Sequence, residues 1–303
     1  MAVSTRPKGA ASVANGEVMA LRLPSGGRRG CAASPRPGAR VTCCTMSDVT
    51  EDLYPTDTAS TGRGDGVRDL TVTDRWNTPV GTPNGGYVLA TMLRGLGEEL
   101  GSDQPLVAAI SYLSPARPGP ASLRTSTLKT GRRLSTGTAE LVCDERVVAQ
   151  LTASYGERSG TSMELGAPPA LPDPQDCLDP FAEHRPDAGL MHRVEYRMPH
   201  QGAGGAGDPT YRLWQRMAGE RVPDLYALAF LVDSCPPPVL EVSPGGSVTV
   251  QLTVHLHRVP VSPWVATVVS TRHVAGGYHE EDCELWDEDG NLLAQSRQLG
   301  ILL

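Results

Sequence analysis

Two apolar segments of helical character each precede a series of segments with strand-like alternation. The first, Val88–Leu96, follows Thr82–Tyr87, in which Asn84 is a suitable N-cap and two glycines allow a tight turn into the helix. Its first turns are apolar on nearly every side, which predicts a helix buried on most of its faces. The second apolar segment, Pro223–Cys235, is followed by three prolines.

The segments around these helices alternate between apolar and polar residues, which is typical of half-buried strands. Turn-forming Pro, Gly and Asp residues separate them. One buried helix followed by antiparallel strands predicts an α+β fold with a sheet wrapped around a helix. The predicted strands are Asp69–Trp76, Leu106–Leu113, Ala121–Thr130, Ser135–Cys143, Arg146–Tyr155, His192–Met198, Tyr211–Met217, Val248–His257, Trp264–His273, His279–Asp287 and Asn291–Leu302.

The two series resemble each other, which indicates an internal duplication. Tyr87–Arg94 resembles Tyr226–Asp233 at an offset of 139 residues, and Asp144–Gln150 resembles Asp287–Gln295. Two copies indicate a fused pseudo-dimer rather than a solenoid. We therefore expect two sheets, continuous or face to face, around two buried helices.

The N-terminal segment differs from the rest of the chain. Residues 1–45 hold seven basic residues and one acidic residue, without apolar periodicity, and cannot bury enough surface to offset chain entropy. The segment fits a transit peptide, a disordered tail or a translated upstream region whose true start is Met46, and we favour the last. The predicted organisation is an N-terminal extension (1–67), a first repeat (68–156), a Pro-rich linker (157–190) and a second repeat (191–303).

Composition excludes several classes of protein. The chain has 303 residues and a net charge of −7, which disfavours a nucleic-acid partner because phosphates repel it. The longest apolar run, Leu225–Val232, has eight residues, whereas a membrane-spanning helix needs about 20. The seven cysteines form neither a CxxC pair nor an even framework, which indicates free thiols in a reducing cytoplasm.

Motifs typical of nucleophilic hydrolases and of nucleotide-binding loops are absent from the sequence. It contains no G-x-S-x-G elbow and no phosphate-binding lysine loop. Cys235 has no histidine near it in sequence, so we do not expect a covalent nucleophile there. His255 and His257 share a strand face but lack a third ligand at a suitable spacing, so we expect a surface pair. The sequence thus predicts neither a metal nor an organic cofactor.

Four motifs, in their order and spacing, carry a resemblance to a known family. They are Asn84–Tyr87 at the start of the first helix, Leu113–Gly119, Gly131–Ser135 and Leu285–Gln298. Over residues 68–303 the sequence resembles the acyl-CoA thioesterase II type of double-hotdog protein. The resemblance implies a double hotdog, two fused repeats each with an antiparallel sheet around a central helix. It also implies hydrolysis of acyl-CoA or acyl-carrier thioesters by an activated water.

The resemblance also implies a set of catalytic residues. In that family a carboxylate, a threonine and a glutamine from the second half orient the attacking water. These fall on Asp233, Thr249 and Gln298 of this sequence. The residue types suit thioester hydrolysis, which needs a positioned carboxylate near the carbonyl group. The segment after Asp233, Ser234–Pro238, departs from the family pattern.

Each of these residues also allows a structural interpretation. Asp233 is unfavourably placed near the end of an apolar helix, which favours a functional role over a structural one. Thr249 lies on the polar face of an alternating strand and is also compatible with a solvated threonine, and Gln298 is compatible with a cross-strand hydrogen bond. Thr253 and Gln295 compete for the threonine and glutamine roles.

The beginning of the first helix is the predicted site for the thioester oxygen. Asn84, Gly85, Gly86 and Tyr87 form this segment. Backbone N–H groups at a helix N terminus lack intrahelical acceptors and lie at the positive end of the helix dipole. Donors aimed at a developing oxyanion stabilise the transition state. We therefore expect Gly85–Tyr87 to face the substrate carbonyl.

Two other functions remain compatible with this fold. One is a non-catalytic acyl-CoA-binding module. The other is a hydratase or dehydratase of enoyl or hydroxyacyl thioesters, but its usual Asp-His pair is missing, since neither predicted helix contains a histidine. Asp233 aligns with Arg94 in the first half, so we expect one composite site per chain. The fused pair also leaves room for assembly into a homo-oligomer.

Overall fold

The first half of the described chain contains two α-helices, six strands and one short 3₁₀ helix, Asp74–Trp76, where the sequence predicted the end of a strand. The computed structural model describes residues 52–205 and 207–303. Helix α1 is Tyr54–Asp57 and helix α2 is Gly85–Leu100. The strands are β1 (Thr61–Gly64), β2 (Val67–Val72), β3 (Pro105–Tyr112), β4 (Gly119–Lys129), β5 (Ser135–Cys143) and β6 (Arg146–Tyr155).

The second half repeats this arrangement around one shorter helix, α3 (Leu225–Leu231). Two of its strands, β8 and β12, are two-residue pieces. The strands are β7 (Val194–Arg197), β8 (Gly204–Gly205), β9 (Asp208–Met217), β10 (Ser247–Leu256), β11 (Val265–Ser270), β12 (Val274–Ala275), β13 (Tyr278–Trp286) and β14 (Leu292–Leu302).

A single antiparallel sheet runs through both halves. Its order is β1-β2-β4-β5-β6-β3-β10-β14-β13-β11-β9-β7, with β8 beside β9 and β12 beside β13. The halves meet where β3 pairs with β10, and Leu252 lies opposite Ile110 there. The structure therefore confirms the predicted double hotdog, with the sheets of the two repeats continuous.

The two central helices pack against each other inside this sheet. Leu89 and Leu93 of α2 and Leu228 and Phe230 of α3 have no exposed surface. Each helix begins at a polar N-cap, because Asn84 accepts a hydrogen bond from the Tyr87 N–H and Asp224 accepts one from the Ala227 N–H. Helix pairing places the start of α2 beside the end of α3.

Helix α3 is shorter than the predicted helix Pro223–Cys235. Beyond the end of α3 the backbone hydrogen bonds span three residues instead of four. The Asp233 N–H donates to Phe230 O at 3.1 Å, and the Ser234 N–H donates to Leu231 O at 3.3 Å. The prolines that follow have no N–H to continue the helix. Asp233 therefore stands just beyond the helix, where its side chain faces the neighbouring helix α2.

The folded part of the chain extends before residue 68, the predicted start of the first repeat. Helix α1 and strand β1 precede it, and Tyr54 is only 1% exposed. The Tyr54 ring lies 5.5 Å from the Trp76 ring and 6.1 Å from the Phe230 ring. These contacts are tertiary, so the local sequence carries no periodic signal of them. Residues 1–51, including the proposed start at Met46, lie outside the described residues.

The Pro-rich segment 157–190 contains no strand and two short 3₁₀ helices, at Pro174–Asp176 and at its end, Gly189–His192. It is held against the second repeat rather than free. Leu178 forms a β-bridge with Met198, and the Trp214 indole donates a 2.8 Å hydrogen bond to Pro172 O. The segment therefore covers part of the outer sheet surface.

Candidate active site

Asp233 joins the two halves of the molecule. Its Oδ2 accepts a 2.7 Å hydrogen bond from the Gly86 N–H, although the residues are 147 positions apart. The Asn84 amide donates to the same oxygen at 3.2 Å and to the backbone oxygen of Asp233 at 2.8 Å. The start of α2 thus holds the carboxylate that follows α3, as expected for a composite site.

Two glycines allow the helices to approach this closely. A Cβ at Gly86 would lie 2.5 Å from Phe230 O and 3.0 Å from Asp233 Cβ. A Cβ at Gly85 would lie 2.9 Å from Asp233 Oδ2 and 3.0 Å from the Tyr112 hydroxyl. Since contacts under 3 Å are repulsive, a larger residue at either position would displace the carboxylate or separate the helices.

Burial raises the pKa of Asp233 to about 6, from an ordinary value of 3.8. Hydrogen bonds from Gly86, Asn84 and Gln298 stabilise the charged form and oppose the rise. The carboxylate is therefore ionised at neutral pH and is a stronger base than an exposed aspartate. A group with these properties is suited to accept a proton from water.

Thr249 and Gln298 lie in the same hydrogen-bond network. The Thr249 hydroxyl donates to Gln298 Oε1 at 2.7 Å, and the Gln298 side chain acts on the Asp233 carboxyl group and lowers its pKa. The structure thus brings the three predicted residues together. The competitors do not join them: Thr253 accepts from Gln251 at 2.9 Å, and Gln295 lies opposite the exposed Glu284 in the sheet.

A β-bulge explains how Thr249 reaches the interior. Simple alternation along β10 places Thr249 on the face opposite to Leu252, and that prediction is wrong. The register between β10 and β14 shifts between Thr249 and Gln251. Because of this extra residue, the side chains before the bulge point to the opposite face from the one that alternation predicts. Val248 is 46% exposed, whereas Thr249 meets the buried Gln298.

Sequence reasoning missed two residues at the site. Glu281 on β13 is 3% exposed and accepts a hydrogen bond from Gln298 Nε2. Tyr112 donates its hydroxyl to Gly85 O at 2.8 Å, and burial, followed by the charge of Asp233, raises its pKa well above the ordinary value. Neither residue belongs to a motif, although Glu281 does interrupt an alternating apolar strand face.

The predicted substrate-facing N–H groups are only partly free. The Gly86 N–H is bonded to Asp233, and the Tyr87 N–H is bonded to Asn84 Oδ1 at 3.0 Å. The Tyr87 hydroxyl donates to Asp57 O at 2.9 Å, so its ring belongs to the core. Gly85, the first residue of α2, has no acceptor for its N–H among the described residues.

The corresponding position in the first half is occupied by a structural ion pair. Arg94 approaches Asp224 Oδ2 at 3.3 Å, so the N-cap of α3 meets Arg94 much as the N-cap of α2 meets Asp233. The Arg94 guanidinium also lies 5.0 Å from the centre of the Tyr226 ring and 5.8 Å from that of Tyr54. At the duplicated position the residue beside the helix start is therefore an arginine, Arg94, and not a carboxylate. The start of α3 also lacks the glycine pair that is found at the start of α2.

Two properties of residues 52–205 and 207–303 bear on function. These residues contain no group of three or more His, Cys, Asp or Glu residues placed to hold a metal ion. In the same part of the chain, no helix has both the length and the hydropathy to cross a membrane. His255 and His257, considered above as a pair, therefore have no third ligand there.

Comparisons with known proteins agree with this architecture. Two solved structures cover most of the chain at 25% identity. A thioesterase II from Thermobifida fusca, described as putative, has a TM-score of 0.74 and covers 82% of this chain and 97% of its own. A hot dog-fold protein of unknown function from Alicyclobacillus acidocaldarius has a TM-score of 0.76 and covers 84% of this chain and 98% of its own.

Sequence comparison leads further. An uncharacterized protein of Mycobacterium tuberculosis is 27% identical over 222 residues, which is 66% of this chain and 76% of the relative. The family model of the acyl-CoA thioesterase N-terminal domain matches residues 72–156, and that of the C-terminal domain matches residues 169–302. Together the two matches span well over half of the chain, which therefore belongs to the acyl-CoA thioesterase family.

Proposed function

We propose that the protein hydrolyses acyl-CoA or acyl-carrier thioesters with a water molecule that Asp233 activates. The observation that carries this proposal is the position of the Asp233 carboxylate. It lies against the N terminus of α2, bonded to Gly86 and Asn84, and Gln298 completes its surroundings. Family membership supports thioesterase chemistry, and the network supplies residues suited to it.

The proposed reaction needs one base and one set of donors. Asp233 accepts a proton from a water held near Thr249 and Gln298, and the hydroxide attacks the thioester carbonyl carbon. The tetrahedral intermediate collapses with cleavage of the C–S bond. The proton on Asp233 then passes to the departing thiolate, which leaves a carboxylic acid, a free thiol and the ionised aspartate.

The N terminus of α2 is the proposed site for the intermediate's oxyanion. The N–H of Gly85 is available there, and the positive end of the helix dipole adds to its field. The Gly86 N–H serves mainly to hold Asp233. Asn84, by contrast, positions the carboxylate through its amide, and Tyr87 contributes only its backbone to the cap.

The cysteines bear on the proposed cellular compartment of the enzyme, and the duplication bears on its proposed assembly. The cysteines in the described part of the chain, Cys143, Cys177, Cys235 and Cys283, are all free, which supports a reducing cytoplasm. Neither a metal nor an organic cofactor takes part in the proposed reaction. One chain already contains the composite site, so a homo-oligomer would be a further level of assembly.

Free-thiol release from a panel of acyl-CoAs, short to long, tests the proposal. We expect turnover of at least one chain length by the purified chain without added metal. The same panel presented on a carrier protein separates the two substrate classes. Binding of acyl-CoA without release of thiol from any member would replace this proposal with the non-catalytic binding module.

A further inference from the structure

The mechanism above leaves one buried carboxyl group at the site without a role. Glu281 lies on the inward face of β13, where the neighbouring inward residues His279, Cys283 and Leu285 are also buried. It stands directly opposite Gln298 in the register between β13 and β14, and Gln298 Nε2 donates to Glu281 Oε1.

A carboxyl group is costly in this position. Glu281 is 3% exposed, and its Oε2 has no hydrogen-bond partner among the described residues. Burial, followed by the charge of Asp233, raises the pKa of Glu281 well above its ordinary value. The other titratable groups that act on it or respond to it are Glu280, Asp282, Cys235 and Cys283.

The orientation of the Gln298 amide depends on its partners. Thr249 offers a hydroxyl, which both donates and accepts and therefore tolerates either orientation of the amide. A carboxyl group, even a neutral one, offers its carbonyl oxygen as an acceptor. Glu281 therefore favours the orientation in which Nε2 faces the two acids and Oε1 faces Thr249.

We propose that Glu281 is a positioning residue that fixes the Gln298 amide, so that one N–H is held by Glu281 and the other remains directed toward Asp233 and its water. The catalytic consequence rests on the proposed thioesterase function. The positioning itself is a property of the hydrogen-bond network and can be measured without turnover.

The first test compares Glu281→Leu with Glu281→Gln. A glutamine keeps a carbonyl acceptor in nearly the shape of a neutral glutamic acid, so we expect its kcat to stay within about threefold of wild type. The leucine variant loses the acceptor, and we expect its kcat to fall about tenfold or more with KM changed less than about threefold. Glu284→Gln, on the exposed face of the same strand, is the matched control and should behave as wild type.

A double-mutant cycle separates positioning from a general structural effect. If Glu281 acts through Gln298, then Glu281→Leu should change kcat less than about twofold in a Gln298→Ala background. An equal loss in both backgrounds would overturn the proposal, as would a leucine variant with normal kcat. If the leucine variant does not fold, Glu281→Met provides an unbranched apolar replacement of similar length.

Hydrogen exchange of the Gln298 side-chain amide provides the readout that needs no substrate. Its NMR signals are identified by their absence from Gln298→Ala. We expect slow exchange in wild type and Glu281→Gln and faster exchange in Glu281→Leu. Equal exchange in all three would overturn the proposal. If wild type hydrolyses no thioester, the proposed function fails, and this exchange measurement still decides the role of Glu281.

Discussion

The backbone N–H of Gly86 donates a 2.7 Å hydrogen bond to Oδ2 of Asp233, and this contact links the first central helix to the end of the second. The carboxylate is therefore held by a part of the chain that is far away in sequence. The duplication is essential to the site, because neither half contains both the glycine helix start and the carboxylate.

Replacement of Asp233 tests the proposed base directly. Asp233→Asn keeps the size of the side chain and an oxygen that can accept from Gly86, but it removes the proton acceptor. We expect kcat for thiol release to fall at least about 100-fold, as for loss of a positioned base. The thermal melting point should stay near that of wild type.

A surface carboxylate supplies the control for this substitution. Asp282 is bonded to Arg297 on the exposed side of β13. Asp282→Asn should leave kcat within about twofold, since exposed ion pairs contribute little even to stability. Normal turnover by Asp233→Asn, on a substrate that wild type hydrolyses, would contradict the mechanism.

The pH dependence should follow the ionisation of Asp233. Its pKa is raised to about 6, and only the ionised form accepts a proton. We expect kcat/KM to be level above about pH 7 and to fall toward tenfold per pH unit below pH 6. The low-pH limb should be absent from the residual activity of Asp233→Asn. A profile in wild type that stays level down to pH 4 would exclude this residue as the base.

Gly86→Ala tests the close approach of the helices. The added Cβ would lie 2.5 Å from a backbone oxygen, that of Phe230, which cannot move as a flexible side chain can. We expect a loss of about 1–3 kcal/mol in the free energy of unfolding, typical of overpacking, together with reduced kcat. Gly62→Ala, which would meet only the end of the Arg68 side chain, should be neutral in denaturant unfolding.

The sequence predicted strand bounds most accurately where a tight turn determines the end of one strand and the beginning of the next. Strands β5 and β6 have the predicted bounds, since Asp144 and Glu145 form a two-residue hairpin turn with φ values of 48° and 62°. Periodicity failed at Thr249, because a bulge reverses the facing of residues and leaves no mark in the alternation.

Tertiary contacts account for the other residues that were missed. Tyr54 and Glu281 are both buried by elements distant in sequence, so their surroundings cannot be inferred from neighbouring residues. Asp233 and Gln298 were found only through a family resemblance. Their hydrogen bonds to Gly86, Asn84 and Glu281 required the structure.

Arg94→Ala tests whether the duplicated position still contributes to turnover. Arg94 makes an ion pair with Asp224 and contacts the Tyr226 ring, with no contact to Asp233. We expect kcat to stay within about threefold, because the residue lies outside the base network. The free energy of unfolding should fall by about 1–2 kcal/mol, as for a partly buried cation–π contact. A large loss of kcat in a stably folded variant would indicate a second functional position.

Tyr54 tests whether the segment before residue 68 belongs to the fold. The ring is 1% exposed and contacts Trp76 and Phe230, so Tyr54→Ala should lower the free energy of unfolding by about 3–5 kcal/mol. The hydroxyl is buried and has no hydrogen-bond partner among the described residues. Tyr54→Phe should therefore leave stability unchanged or raise it, since an unpaired buried hydroxyl is unfavourable. Denaturant unfolding of the two variants measures both effects. If Tyr54→Ala were as stable as wild type, the helix that carries this residue would be dispensable for the fold.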